Sequence, residues 1–224
     1  MIELTRDGDV FVLRMDQGEN RFSPDMLAAL EGALDEVRDT DGPRALVTTG
    51  TGKFFTNGLD LDWLGSNQDA MVGYLARVDR LFAKVLSLPC PTAAAANGHA
   101  FGAGAMLLLA HDHRIMRSDR GYWCLPEVDL QMPFPRGMQA LVAARLPNLT
   151  AHEAMITAHR YGADEALAKG IVEQIAPEAD VLAAAIERVR GLADHAGTNL
   201  AGVRTSLYAP VLAALCPTVS ATMP

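Results

Sequence analysis

Glu127 is the side chain here with the best claim to proton chemistry. It stands in Leu125-Pro126-Glu127-Val128, with Trp123, Met132 and Phe134 close by in sequence. Apolar surroundings disfavour a charged carboxylate and raise its pKa, as a general base working near neutral pH requires. Taken alone, a carboxylate after a proline reads sooner as a solvated loop residue than as a catalytic one. The second chemical feature has no side chain. Asn97-Gly98-His99-Ala100-Phe101-Gly102-Ala103-Gly104 leads into the apolar run Ala105 to Ala110. The first N–H groups of a helix have no partner within it, and its dipole favours negative charge there. Small residues let a ligand approach the backbone. Such donors suit an oxygen on which charge develops. Close helix–sheet packing is the competing use of these residues, and G-x-G lacks the third glycine of a dinucleotide fingerprint.

Other candidates carry less. His111 and His113 flank one aspartate with no third ligand nearby, which argues against a metal site. Thr56 and Ser66 have no evident His–Asp partners for a hydrolytic triad. Asp60 and Asp62 read as caps of a following turn. His99 lies inside the glycine-rich turn, where lining a site and supporting it are equally open. Cys90, Cys124 and Cys216 are too scattered for a disulfide framework or zinc site, and read as buried small hydrophobes.

These residues need elements to hold them. Ile2–Thr5 and Val10–Met15 flank Asp7-Gly8-Asp9 as a hairpin. Ser23, Pro24 and Asp25 open a helix to about Asp39, with Met26, Leu27, Leu30, Leu34 and Val37 on one face. Ala45–Thr49 is a strand, residues 53–61 a loop, and about 70–88 a second long helix closed by Pro89 and Pro91. Pro91–Ala96 suits a buried strand running into the glycine-rich turn and helix. Arg114–Met116 and Tyr122–Leu125 are extended, with a helix over about 137–145. Helices then span 151–159, 163–168, 180–195 and 200–215, broken by a strand at Ile171–Ile175. Pro217–Pro224 reads as a loose tail. Strands alternating with helices make an α/β layered protein with a helical C-terminal portion.

The 224-residue chain can bury its own core. Its net charge of −8 argues against general nucleic-acid or anionic-membrane binding. The longest apolar run, Phe101–Ala110, falls well short of the roughly 20 residues that span a bilayer. The N-terminal residues lack the apolar segment of a signal peptide, so the expected location is cytoplasmic.

Three blocks resemble one family, the crotonases. Phe55-Thr56-Asn57-Gly58-Leu59-Asp60-Leu61 is similar to F-S-x-G-x-D-L, and Asn97–Gly104 to N-G-x-A-x-G-G-G. Leu125-Pro126-Glu127-Val128 resembles the third block, and His111-Asp112-His113-Arg114-Ile115 the C-D-x-R-I continuation. The likeness covers roughly residues 1–195. It implies a spiral of ββα units over 1–195, then a C-terminal helix and tail over 196–224 within a helical trimerisation region. It further implies a coenzyme A thioester substrate, no cofactor, and a homotrimer or homohexamer. Apolar faces at Val181, Ile186, Val189 and Leu192, and at Val203, Leu207, Val211 and Leu215, agree with assembly. By the same resemblance the oxyanion donors are the backbone N–H groups of Leu59 and Ala103. Ala103 replaces the usual glycine, which a backbone donor tolerates if its φ is negative. Thr56, Asn57, Gly58, Gly102 and Phe134 are expected to line the substrate site. Lys53, Arg77, Arg80 and Lys84 are candidates to meet the phosphates of coenzyme A.

Within the family, hydratases use two glutamates. Here Met106 stands at the first position and Glu127 at the second. A single base over an enolate moves a proton from C2 to C4, the Δ3,Δ2-enoyl-CoA isomerase reaction. The blocks most resemble the short isomerases, notably the plant peroxisomal group. Hydratase, thioesterase or decarboxylase chemistry, or non-catalytic acyl-CoA binding, are the alternatives.

Overall fold

The structure, a computed structural model, describes residues 1–217. The remainder of the expected tail, 218–224, lies outside the described residues. The chain opens with β1 (Ile2–Asp7), β2 (Val10–Met15), α1 (Pro24–Asp39), β3 (Ala45–Gly50) and β4 (Phe54–Thr56). It continues through α2 (Leu61–Ser66), α3 (Met71–Leu86), β5 (Thr92–Ala96), β6 (His99–Phe101) and α4 (Ala103–Ala110). Next come β7 (His113–Arg117), β8 (Trp123–Cys124), α5 (Arg136–Arg145), α6 (Asn148–Thr157) and α7 (Ala163–Ala168). Last are β9 (Gln174–Ala176), α8 (Val181–Arg190), α9 (Thr198–Leu207) and α10 (Ala209–Leu215).

Six strands form one sheet in the order β1-β2-β3-β5-β7-β9. Only β1 and β2 pair antiparallel, through the expected hairpin at Gly8; the other neighbours are parallel. Alternation along β2 sends Val10 and Val12 to one face and Phe11, Leu13 and Met15 to the other. The first face packs with Val181, Ala185, Ile186 and Val189 of α8. The second packs against α1, α3 and α4 in the larger core. Every residue of β3 and β5 is buried, as interior parallel strands covered on both sides must be. Ser23 caps α1 by accepting from Met26 N–H at 3.2 Å, with Pro24 in the first turn.

A second sheet of three parallel strands, β4-β6-β8, stands beside the first. It corrects two expectations. Residues 53–61 are not all loop, because Phe54–Thr56 pair with β6. Nor does β5 turn straight into the helix: β6 intervenes, and the second glycine of the turn, Gly102, makes the bend into α4. All eight residues of α4 are buried. A helix apolar on every side has to run through the interior.

The C-terminal third departs from expectation in detail. The expected 200–215 helix breaks at Tyr208 because Pro210 lacks an N–H and opens a new helix, α10. Gly191 caps the end of α8. The last strand sits at 174–176, while Ile171 and Val172 are buried in the preceding turn. Val211 and Leu215 turn into the chain's own core, whereas Val203 and Leu207 face outward at 63% and 66% exposure. Cys90 and Cys124 are buried as expected, but Cys216 is exposed. No helix among the described residues is long and apolar enough to cross a membrane.

Candidate active site

The site forms where β4 and β6 deliver their ends to the start of α4. Gly58 lies in the segment after β4 with φ +77°, and Gly102 ends β6 with φ +53°. Both are conformations that side-chain-bearing residues rarely adopt. Gly58 is also a point of close approach, since a Cβ there would fall 2.6 Å from Phe101 O and 2.9 Å from Ala103 N. The missing side chain lets the Leu59 segment touch the first turn of α4.

Around Leu59 almost every backbone donor is spoken for. Asn57 N–H donates to Glu19 O (2.9 Å), Gly58 N–H to Thr56 Oγ1 (3.0 Å) and Asp60 N–H to Tyr74 OH (2.9 Å). Leu61 N–H donates to Leu59 O (3.1 Å). Leu59 N–H itself has no partner among the described residues, and neither does Ala103 N–H. Ala103 is the first residue of α4, where an orphan donor is inherent to the helix, and its φ is not positive. Trp123 Nε1 donates to Ala105 O (3.1 Å) and anchors that first turn.

A cavity of about 350 Å³ opens at these groups. Its apolar wall comprises Leu59, Leu61, Phe101, Ala103, Pro126, Leu130 and Met132; Gly102 and Glu127 complete that side. Arg21, Asn57 and Asp62 form its polar rim. Glu127 is only 9% exposed, and its Oε2 has no hydrogen-bond partner among the described residues. Burial pushes its carboxyl up to about 7. Its position is held by the turn that carries it: Met132 N–H donates to Glu127 O (2.9 Å) and Leu130 N–H to Pro126 O (3.0 Å). A Cβ built on Gly102 would lie 3.4 Å from Glu127 Oε1, so the carboxylate sits over the turn into α4. A buried carboxyl and two residues with unpartnered backbone N–H groups thus line one small apolar space.

The expected site residues divide. Leu59, Ala103, Asn57, Gly102 and Glu127 line the cavity. Thr56 and Gly58 lie behind it, Thr56 fully buried with Oγ1 donating to Asn20 O at 2.6 Å. Phe134 does not line it; half-buried, it packs against the main core beyond the Glu127 turn. Met106, at the position of the missing glutamate, has 0% exposure and points into the core. Arg77 and Lys84 are tied to Glu31 and Asp35, where they join α3 to α1. Asp60 caps α2, accepting from Trp63 N–H at 3.2 Å, but Asp62 pairs with Arg21 instead. His111 is fully buried, bonded to Leu107 O and Thr48 Oγ1 at 2.9 Å each. His99 lies on the small sheet with its ring against Phe54, Phe101 and Tyr122, and burial lowers its pKa. No cluster of three or more His, Cys, Asp or Glu side chains that could hold a metal ion occurs among the described residues.

Known proteins carry the same frame. The family model for enoyl-CoA hydratase/isomerase matches residues 5–221. The chain belongs to that family, the crotonases. It is 36% identical over 220 residues to enoyl-CoA delta isomerase 3 of Arabidopsis thaliana, spanning 93% of this chain and 92% of that protein. A putative enoyl-CoA hydratase of Thermus thermophilus is 33% identical over 86% of this chain and 76% of its own length. A solved structure of a probable enoyl-CoA hydratase from Mycobacterium tuberculosis superposes with TM-score 0.87 at 31% identity, covering 96% of this chain and 91% of that one. Another structure of that M. tuberculosis protein bears the name enoyl-CoA isomerase, so the crotonase fold by itself does not separate the two activities.

Three residues at this crotonase site escaped the sequence reading. Glu19, Asn20 and Arg21 reach the Leu59 segment from the turn after β2. Asn20 is fully buried with φ +53°, and its Nδ2 donates to Phe54 O and Phe55 O. Asn tolerates this region better than most residues. The run Gly18-Glu19-Asn20 signals a turn, but not where that turn docks.

Proposed function

We propose that this crotonase is a Δ3,Δ2-enoyl-CoA isomerase. The observation that carries the reading is the count of buried carboxylates around the cavity: Glu127, with Met106 withdrawn into the core. Asp62, the other acid in the lining, is 88% exposed and paired with Arg21. The names of the Arabidopsis relatives support the same reaction.

In this reading the acyl-CoA thioester oxygen accepts hydrogen bonds from Leu59 N–H and Ala103 N–H. Glu127 takes a proton from C2, and the released electron pair moves onto the thioester oxygen as an enolate. The C3–C4 π electrons then take the proton from Glu127 at C4, and the double bond closes between C2 and C3. The donors contribute because the charge they face exists only after proton removal; losing one costs roughly 3–4 kcal/mol in known cases. A base poised near neutral pH both takes the proton and returns it. Hydration would need a second group to hold and activate water.

The test is parallel incubation with a 3-enoyl-CoA and a 2-enoyl-CoA, following conjugation and hydration. Conjugation of the first with little hydration of the second is expected. Efficient hydration with the 3-enoyl substrate untouched would overturn the reading in favour of a hydratase.

The proposal includes assembly into a homotrimer or homohexamer through the C-terminal helices, supported by the outward apolar residues Val203 and Leu207. Light scattering at micromolar concentration would reject it by giving the 24.0 kDa of one chain. A cytoplasmic location stays within the proposal, although the names of two Arabidopsis relatives include the word peroxisomal.

A further inference from the structure

The Leu59 donor sits on a segment with little regular structure of its own. Only an isolated bridge to Phe22 follows β4 before α2 begins. What holds it is the strap Gln17–Phe22. Asn57 is gripped twice by Glu19: its N–H donates to Glu19 O (2.9 Å) and its Nδ2 to Glu19 Oε2 (3.0 Å). The same Oε2 accepts from Arg21 Nε at 2.7 Å, and Arg21 pairs with Asp62 on the far side of Leu59. Between these ends, Phe22 N–H donates to Gly58 O (2.8 Å) and Thr56 Oγ1 to Asn20 O (2.6 Å). The strap therefore contacts the residues flanking Leu59 and leaves its N–H free.

We propose that Glu19 is a positioning residue, which sets the direction of the Leu59 N–H by fixing Asn57 two residues before it. The inference rests on the reading of Leu59 N–H as an oxyanion donor. A carboxylate serves here because it accepts from an amide and a guanidinium at once, and charge-assisted bonds are shorter and stronger than neutral ones. Those bonds, Arg21 first and Asn57 second, also hold the Glu19 pKa below the usual carboxylate value, so it stays ionised. A donor that drifts by a fraction of an ångström keeps the ground-state thioester and loses part of the enolate. Glu19 thus acts on turnover more than on binding.

The experiment compares wild type, Glu19→Ala and Glu19→Gln. The side chain of Glu19 is 42% exposed, so truncation leaves the core intact. With a 3-enoyl-CoA, Glu19→Ala is expected to lower kcat ~10-fold, the loss of about one charge-assisted bond, with KM within about twofold. Glu19→Gln keeps an acceptor for Asn57 and should recover part of kcat. The direct readout is the infrared carbonyl stretch of bound butyryl-CoA. Polarisation in wild type shifts it to lower frequency, and Glu19→Ala should lose part of that shift. The double variant Glu19→Ala/Asn57→Ala should be no worse than the poorer single one, because one contact is removed twice. An unchanged shift and kcat in Glu19→Ala, additive losses in the double variant, or parallel losses of kcat, affinity and melting temperature would each overturn the role. No carbonyl shift in wild type would overturn the oxyanion reading itself, and the role of Glu19 with it.

Discussion

Two carboxylates in this protein share an unusual condition and differ in what surrounds them. Glu127 and Asp79 are each 9% exposed, and each has an oxygen without a hydrogen-bond partner among the described residues. Burial raises both, Glu127 to about 7 and Asp79 to about 6. Asp79 lies on the buried side of α3 and is absent from the cavity lining; Glu127 faces the cavity beside the Leu59 and Ala103 donors. Desolvation alone makes a carboxyl reluctant to ionise. It makes a base only where a substrate proton can reach it, with donors placed to accept the resulting charge. The same burial is therefore a cost to stability at Asp79 and, in the proposed mechanism, a tool at Glu127.

The sharpest way to break this comparison is to neutralise each acid in turn. Glu127→Gln should lower isomerisation by about 10²-fold or more with little change in KM, while Asp79→Asn should leave turnover unchanged. Equal activity in the two variants would remove the distinction. The wild-type rate should rise with pH through about 7 as Glu127 loses its proton, and Asp79→Asn should keep that inflection.

Ala103→Pro tests the donor side at a comparable magnitude. Proline is tolerated at the first position of a helix, so the substitution deletes one N–H, though it also puts strain on the Gly102 turn before it. A loss of about 10²-fold in kcat is expected, in line with removal of one oxyanion donor. Near wild-type turnover by a folded variant would exclude Ala103 from the role.

Stability should show the most symmetrical effects, comparable in the two variants. Each acid has a folded-state pKa above its unfolded value, so the folded chain binds protons more tightly. Their contribution to stability is then fully present at low pH and is lost as pH rises, between 4.5 and about 7 for Glu127 and between 3.8 and about 6 for Asp79. Either amide variant should remove its own part of that decline, gaining up to about 3 kcal/mol above pH 7. Urea unfolding at pH 4 and pH 8 measures it. A variant that gains nothing at pH 8 would show that its carboxylate is not desolvated in solution.

Much of the molecule was legible before any fold was known, because its signals are local. Ser23-Pro24 announces α1, the Asp7–Asp9 turn announces the hairpin, and Gly102 followed by an apolar run announces α4 and its orphan donors. Glu127 was a candidate from its apolar neighbours, and the three family blocks indicated Leu59 and Ala103. The rest depends on contacts between distant residues, which no window of sequence contains. Phe54–Thr56 is a strand only because β6 lies beside it, and Pro210 splits the last helix where periodicity ran on. Phe134 is near Glu127 in sequence, but its turn carries it away from the cavity. Met106 could be read as a lost carboxylate, but not as a side chain withdrawn into the core. The burial that lifts Glu127, and the grip of Glu19 on Asn57 across 38 residues, exist only when the chain closes on itself. Residue type and spacing determined which groups could react; desolvation and the direction of a single N–H were decided by tertiary structure, because both are properties of the space between segments.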